Sequence, residues 1–277
     1  MIVKKARSGK NGSEALLQPS ATKRRELLVF LTASFKPANS VNVIVYYHGH
    51  YVGKTENFKE FRDHYTSSEL IAAVQDAGKA LALVVPDLGA NADGGDWTSS
   101  DKAAFDSLIK DTLLIAAYRS NELRSGNTLE DPSKDFQTGK KVESLELGAL
   151  ILAAHSGGGF AMRRVRDLGS GHAKNLKEVW MLDSLYDDAK RWVSWAALSG
   201  VAVHNIYTKG PDSMHAPYLN SSKIYEPARK GEAMLIKDPP PVEPPNNYLR
   251  PAIESSVNHH HVPGKFIGGL IRKSSNL

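Results

Sequence analysis

The sequence predicts an α/β protein: a three-layer α/β/α sandwich around a mostly parallel central sheet. Three observations predict it. Strand-like apolar runs alternate along the chain with longer amphipathic ones. Several of those runs are continuous rather than alternating, as at 41–47 (VNVIVYY) and 80–85 (ALALVV), which marks strands buried on both faces. The chain has 277 residues, 41% of them hydrophobic, enough to fill one sizeable core.

In chain order, 27–35 reads as an early strand and 41–47 as a buried strand closing on His48-Gly49-His50. Residues 67–77 read as a helix capped by Ser67 or Ser68 and stopped by Gly78. The strand 80–85 is closed by Pro86-Asp87, and a loop of Gly, Asn and Asp follows over 89–96. Residues 101–118 form a long helix with Phe105, Leu108, Ile109 and Ile115 on one face. The polar stretch 119–144 reads as a surface excursion. The strand 145–155 runs into Ser156-Gly157-Gly158-Gly159 and a helix to Leu168. A strand at 178–182, a helix at 189–198 and a strand at 201–207 follow. The Pro-rich stretch 238–247 is a loop, 248–255 a last strand, and 265–272 a terminal helix. There is no internal repeat. Residues 1–25 are expected to be a basic, solvated arm, and 26–277 a single domain.

Composition narrows the function. The formal charge is +5, from 35 Lys and Arg against 30 Asp and Glu. With no basic block interleaved with aromatics, no nucleic-acid partner is expected. There is no cysteine, which excludes disulfides, thiolate metal sites and a cysteine nucleophile. No membrane span and no signal peptide are visible. The default expectation is a cytoplasmic protein, or a secreted one if the chain has been trimmed. Oligomeric state has no signature in the sequence.

The strongest chemical signal is Ala153-Ala154-His155-Ser156-Gly157-Gly158-Gly159. A strand enters it and a helix leaves it. A serine on so tight a turn needs small residues two positions before and after it, here Ala154 and Gly158. Its hydroxyl then stands above the sheet, with the Gly157 N–H aimed at a developing oxyanion. The usual form is G-x-S-x-G, and Ala154 replaces the first glycine. A Walker phosphate loop would want Lys-Ser/Thr after the glycines, which is absent.

Upstream, His48-Gly49-His50 turns the chain sharply and offers an N–H near His50 to the same oxyanion. A metal site on His48 and His50 is the rival reading. Downstream, His259-His260-His261 offers the base that a serine hydroxyl needs near neutral pH. Consecutive residues of an extended loop point different ways, so one at most serves. Asp183 and Asp212 both follow strands and are candidates to orient that base. Asp183, fixed among apolar residues at a strand end, is preferred.

Together these motifs resemble the α/β-hydrolase superfamily over roughly residues 41–270. The order of serine, acid and histidine is that family's order. The resemblance implies the α/β-hydrolase fold, with Ser156 as nucleophile, Asp183 as acid and His259 as base. His259 is preferred over His260 and His261 because family members often carry an apolar residue three positions after the histidine, here Val262. Asp212 would occupy the family's commoner acid position. His50 and Gly157 would form the oxyanion hole. No metal and no cofactor are implied.

The expected activity is carboxylic-ester hydrolysis through an acyl-enzyme, on a small-molecule or polymeric ester. Amide or peptide cleavage, acyl transfer, a catalytically silent binding scaffold and a metal-dependent hydrolase using His48, His50 and one residue of the histidine run are the alternatives. No long insertion follows Asp183, where many lipases carry a lid, so an open site is expected. Trp97, Tyr51, Met214 and Tyr218 are candidate walls, and 119–144 is expected on the face away from the site.

Overall fold

The computed structural model describes residues 2–9, 12–18, 26–36, 39–49, 68–88, 92, 102–125, 142, 145–169, 171–186, 189–208, 217, 253–255 and 257–277. Among these, nine strands form one sheet. They are β1 Ile2–Gly9, β2 Gly12–Gln18, β3 Leu27–Leu31, β4 Ser40–Tyr47 and β5 Ala82–Pro86. The others are β6 Glu146–His155, β7 Leu176–Leu182, β8 Ala202–Thr208 and β9 Ile253–Ser255. The helices are α1 Ser68–Asp76, α2 Lys102–Ser125, α3 Gly158–Leu168, α4 Ala189–Ser199 and α5 Val262–Lys273.

The strand order is β1-β2-β3-β5-β4-β6-β7-β8-β9. From β5 to β9 every neighbouring pair is parallel, and β1, β2 and β3 join antiparallel at one edge. β4 therefore lies between β5 and β6, where the order of strands reverses. The crevice at the carboxyl ends beside such a reversal is where open α/β sheets bind ligands.

The continuous apolar strands have two faces to fill. Successive residues of a strand point to opposite sides. In β4, Val43, Val45 and Tyr47 join one core with Phe105, Met162 and Trp192, from α2, α3 and α4. Ile44 and Tyr46 join a second core with Leu70, Val74, Ile267 and Ile271, from α1 and α5. Three layers result, as the strand pattern predicts. No helix among the described residues is long and apolar enough to cross a membrane.

Two expectations need correction. Residues 2–9 and 12–18, expected in a solvated arm, are two paired strands, and β2 continues onto β3. Ala15, Leu16 and Leu17 are buried there. The basic composition of 1–25 concealed these strands, because their pairing onto β3 is not announced by local charge. The helix expected to stop at 118 continues to Ser125. Its last residues keep the helical backbone although apolar anchors thin out, and residues 126–141 lie outside the described residues. The last strand is described only over Ile253–Ser255. The loop 238–247 lies outside the described residues as well.

At the end of the sheet opposite the site, Glu178 of β7 fastens the residues after α5. It accepts hydrogen bonds from Ser274 Oγ (2.5 Å), Trp180 Nε1 (2.8 Å) and Asn276 Nδ2 (2.9 Å), and His204 Nε2 lies 3.1 Å away. Burial acts to raise its carboxyl, but the bonds from His204, Ser274, Asn276 and Trp180 outweigh it and bring it to about 2. That stabilisation is present above the ordinary value of 4.5 and lost as pH falls toward about 2. Ser274→Ala leaves a buried carboxylate short of a donor. It should cost about 1–3 kcal/mol, read as a lower urea midpoint with an unchanged slope. An unchanged midpoint would show that the tail contributes nothing.

Candidate active site

β6 ends at His155, and the chain turns into α3 through Ser156 and Gly157. Ser156 has φ 51, a left-handed conformation that costs a non-glycine residue of the order of 1–3 kcal/mol and persists only where its surroundings impose it. They do so here by close packing. Ala154 is fully buried between Tyr47 of β4 and Met181 of β7. A Cβ on Gly158 would run into the carbonyl oxygens of Tyr47 and His48, and one on Gly49 would lie 2.7 Å from Ser156 Cβ. The small residues expected around Ser156 are thus required by the end of β4. Gly157 stands at the N-terminus of α3, where first-turn amides and the helix dipole favour negative charge.

The neighbouring strand delivers a buried carboxylate, Asp183. Asp183 directly follows β7, is fully buried and also has positive φ, 53. Its N–H donates to the Ile206 carbonyl at 2.6 Å. Its carboxylate accepts from the Thr208 N–H (3.0 Å), the Thr208 hydroxyl (2.6 Å) and His259 Nδ1 (2.5 Å). Burial acts to raise this carboxyl, but the bonds from His259 and Thr208 outweigh it and hold it below the ordinary 3.8. Because an ionised carboxylate only accepts, His259 carries its proton on Nδ1 and leaves Nε2 as the basic nitrogen.

The three histidines occupy a short 3-10 turn, His259–His261, and not an extended loop. With about three residues per turn, successive side chains still diverge. His259 goes to Asp183. His261 meets Glu69 at 3.2 Å with both side chains exposed, and His260 is exposed with its ring edge-on to His259.

Residue His155, at the end of β6 just before Ser156, carries no signal of a role in the sequence. Its Nε2–H donates to the His259 carbonyl at 2.9 Å, and the two rings lie 4.6 Å apart. Burial, then the nearby His259, holds its pKa down to about 3 despite the hydrogen bond to the His259 backbone and the Asp183 charge. It is a neutral clamp between the elbow and the turn bearing His259.

Among the described residues, the Ser156 hydroxyl hydrogen-bonds Tyr186, at 3.3 Å, and not His259. Tyr186 and Thr208 were also missed in the sequence. Thr208 ends a strand recognised there, but its bond to Asp183 depends on strand register. Tyr186 carries no local signal at all.

His48 is buried with both ring nitrogens engaged. Its Nδ1–H donates to the Gly49 carbonyl (2.7 Å) and its Nε2 accepts from the Leu88 N–H (2.9 Å). These bonds brace the chain at the end of β4 and occupy the atoms a metal would need. His50, Asp212, Trp97, Tyr51, Met214 and Tyr218 lie outside the described residues.

The sheet order, the three layers and the strained strand-to-helix turn together decide the fold. The fold is that of an α/β-hydrolase. No family model and no curated protein matches the sequence. Among solved structures, the enterobactin esterase of Shigella flexneri aligns with TM-score 0.49 and 9% identity, over 94% of this chain and 58% of that one. The chain thus spans little more than half the length of that esterase. A feruloyl esterase module from Clostridium thermocellum gives TM-score 0.46 and 15% identity, over 100% and 89%. A fungal esterase from Rhizomucor miehei gives 0.42 and 11%, over 93% and 80%.

Two outcomes test the local packing. The unfolded chain protonates His155 near 6.5, whereas the folded chain resists until about 3. Stability is therefore lost as pH falls through this window, by roughly 2 kcal/mol between pH 7.5 and 5. His155→Phe should remove most of that loss in urea titrations, and equal losses in both proteins would reject the buried neutral histidine. Second, Gly158→Ala meets backbone and should cost more than about 2 kcal/mol. Gly269→Ala in α5, where a Cβ meets open space, should be neutral or stabilise by up to about 1 kcal/mol. Equal melting temperatures for the two variants would contradict the close approach of β4 and α3.

Proposed function

We propose that the protein is a serine hydrolase cleaving carboxylic esters, with Ser156 as nucleophile, His259 as base and Asp183 as the orienting acid. The observation that carries this reading is the pair His259–Asp183, 2.5 Å apart, beside a serine whose backbone is held at φ 51 on the elbow. A buried carboxylate on Nδ1 fixes the imidazole tautomer and stabilises the imidazolium that forms when Nε2 takes a proton. The hydroxyl rests on Tyr186 in the free protein, so it must rotate toward His259 as substrate enters. Hydrogen bonds of this kind commonly tighten only in the complex.

In the proposed sequence, Ser156 Oγ attacks the acyl carbon and His259 receives its proton. The Gly157 N–H and an N–H near His50 bind the oxyanion. The alcohol leaves with the proton from His259, and water repeats the steps on the acyl-enzyme to release the acid.

A fluorophosphonate probe and short p-nitrophenyl esters test the reading. The wild type should be labelled and active, while Ser156→Ala should lose labelling and about 10⁴-fold or more in kcat. Equal labelling of both proteins would reject the nucleophile. A wild type that neither labels nor turns over would favour the silent binding scaffold, a reading consistent with the Ser156–Tyr186 contact.

A further inference from the structure

The Ser156 hydroxyl has one neighbour that the proposed triad leaves unused, the phenol of Tyr186, 3.3 Å from Oγ. Its position follows from the turn at Asp183. Positive φ there redirects the chain at the end of β7, Leu185 is buried as an anchor, and the Tyr186 N–H donates to the Ser184 carbonyl at 3.1 Å. The tyrosine ring stacks on Phe160, with centroids 5.6 Å apart and planes at 29°. Phe160 belongs to the first turn of α3, and Arg163 on the next turn stands 5.5 Å from its ring centre. The phenol is therefore held against the same helix that starts at the elbow. The backbone turn that presents the Asp183 carboxylate also presents this hydroxyl.

Resting on Ser156 as nucleophile, we propose that Tyr186 is a catalytic residue: its phenol O–H donates a hydrogen bond to the substrate's carbonyl oxygen as that oxygen gains charge. The oxyanion sits on the same carbon to which Oγ bonds. A donor already within reach of Oγ reaches it by rotation of the phenol. The bond from Oγ to carbon forms as the carbonyl electron pair moves onto oxygen, and the serine proton goes to His259. When the carbonyl re-forms, the bond to the alcohol oxygen breaks and that oxygen takes the proton from His259. Tyr186 keeps its own proton throughout. Burial helps it do so by raising the phenol; the bond to Ser156 opposes that rise and the Asp183 charge adds to it.

Tyr186→Phe removes the hydroxyl and keeps the ring on Phe160. Loss of one oxyanion donor should lower kcat about 10–100-fold with KM nearly unchanged. The loss should be equal for p-nitrophenyl and alkyl esters of the same acid. A boronic acid, which becomes tetrahedral on Ser156, should bind weaker by a similar factor, whereas the product acid should not. Unchanged kcat, a loss confined to KM, or a loss that grows with the basicity of the leaving alcohol would overturn the assignment. If Tyr186→Phe does not fold, Tyr186→fluorotyrosine keeps the shape and makes the phenol more acidic. The high-pH fall in kcat should then begin at lower pH than in the wild type, and an unmoved fall would overturn the assignment. A wild type that fluorophosphonate labels, with a fully active Tyr186→Phe variant, defeats only this inference. A wild type that is not labelled defeats the nucleophile and this inference together.

Discussion

A carboxylate sealed from solvent is the constraint around which the site is arranged. Asp183 is fully buried, and an isolated buried charge would cost several kcal/mol. Three hydrogen bonds answer it, two from Thr208 and one from His259. Bonds to a charged group contribute about 1.5–3 kcal/mol each, enough to offset that cost. The bonds also tie together the end of β7, the end of β8 and the turn before α5. Those elements are distant in sequence, and the charge holds them in one register.

Close approach does for Ser156 what charge does for His259. The ends of β4 and β6 leave no space for a side chain at Gly49 or Gly158. The turn at Ser156 cannot relax by moving toward β4 without meeting the carbonyls of Tyr47 and His48. His48 stiffens that wall through its two ring hydrogen bonds. The strain at Ser156 is thus held by packing in the body of the sheet.

Legibility in the sequence tracks the range of the interactions involved. The elbow was legible because its requirements are local: a buried strand, small residues on both sides of Ser156, then a helix. Both cores were legible in continuous runs such as 41–47, since two buried faces leave no room for polar alternation. The two N-terminal strands were not, because they join the sheet only through the pairing of β2 with β3, which a basic stretch does not announce. Asp183 was found as a strand end among apolar residues, but its bonds to Thr208 depend on the register of β7 against β8. The choice of His259 over its neighbours needed the family resemblance, because a run of three histidines holds no local information about which one a distant carboxylate will meet. Tyr186 reaches Ser156 only through the reversal at Asp183, a backbone conformation that its sequence does not announce.

Ser156 and His259 are held separately: Ser156 rests on Tyr186 while His259 rests on Asp183. They are joined by His155, whose backbone continues into Ser156 and whose ring, tilted 36° to that of His259, holds the His259 carbonyl. A protonated His155 would place a buried positive charge against the ring of His259. Burial keeps it neutral, so the clamp positions His259 without that charge. A charged lysine or arginine could supply the same hydrogen bond to that carbonyl, but burying its charge at this depth would cost several kcal/mol. A neutral imidazole makes the bond and packs its ring against that of His259 without that cost.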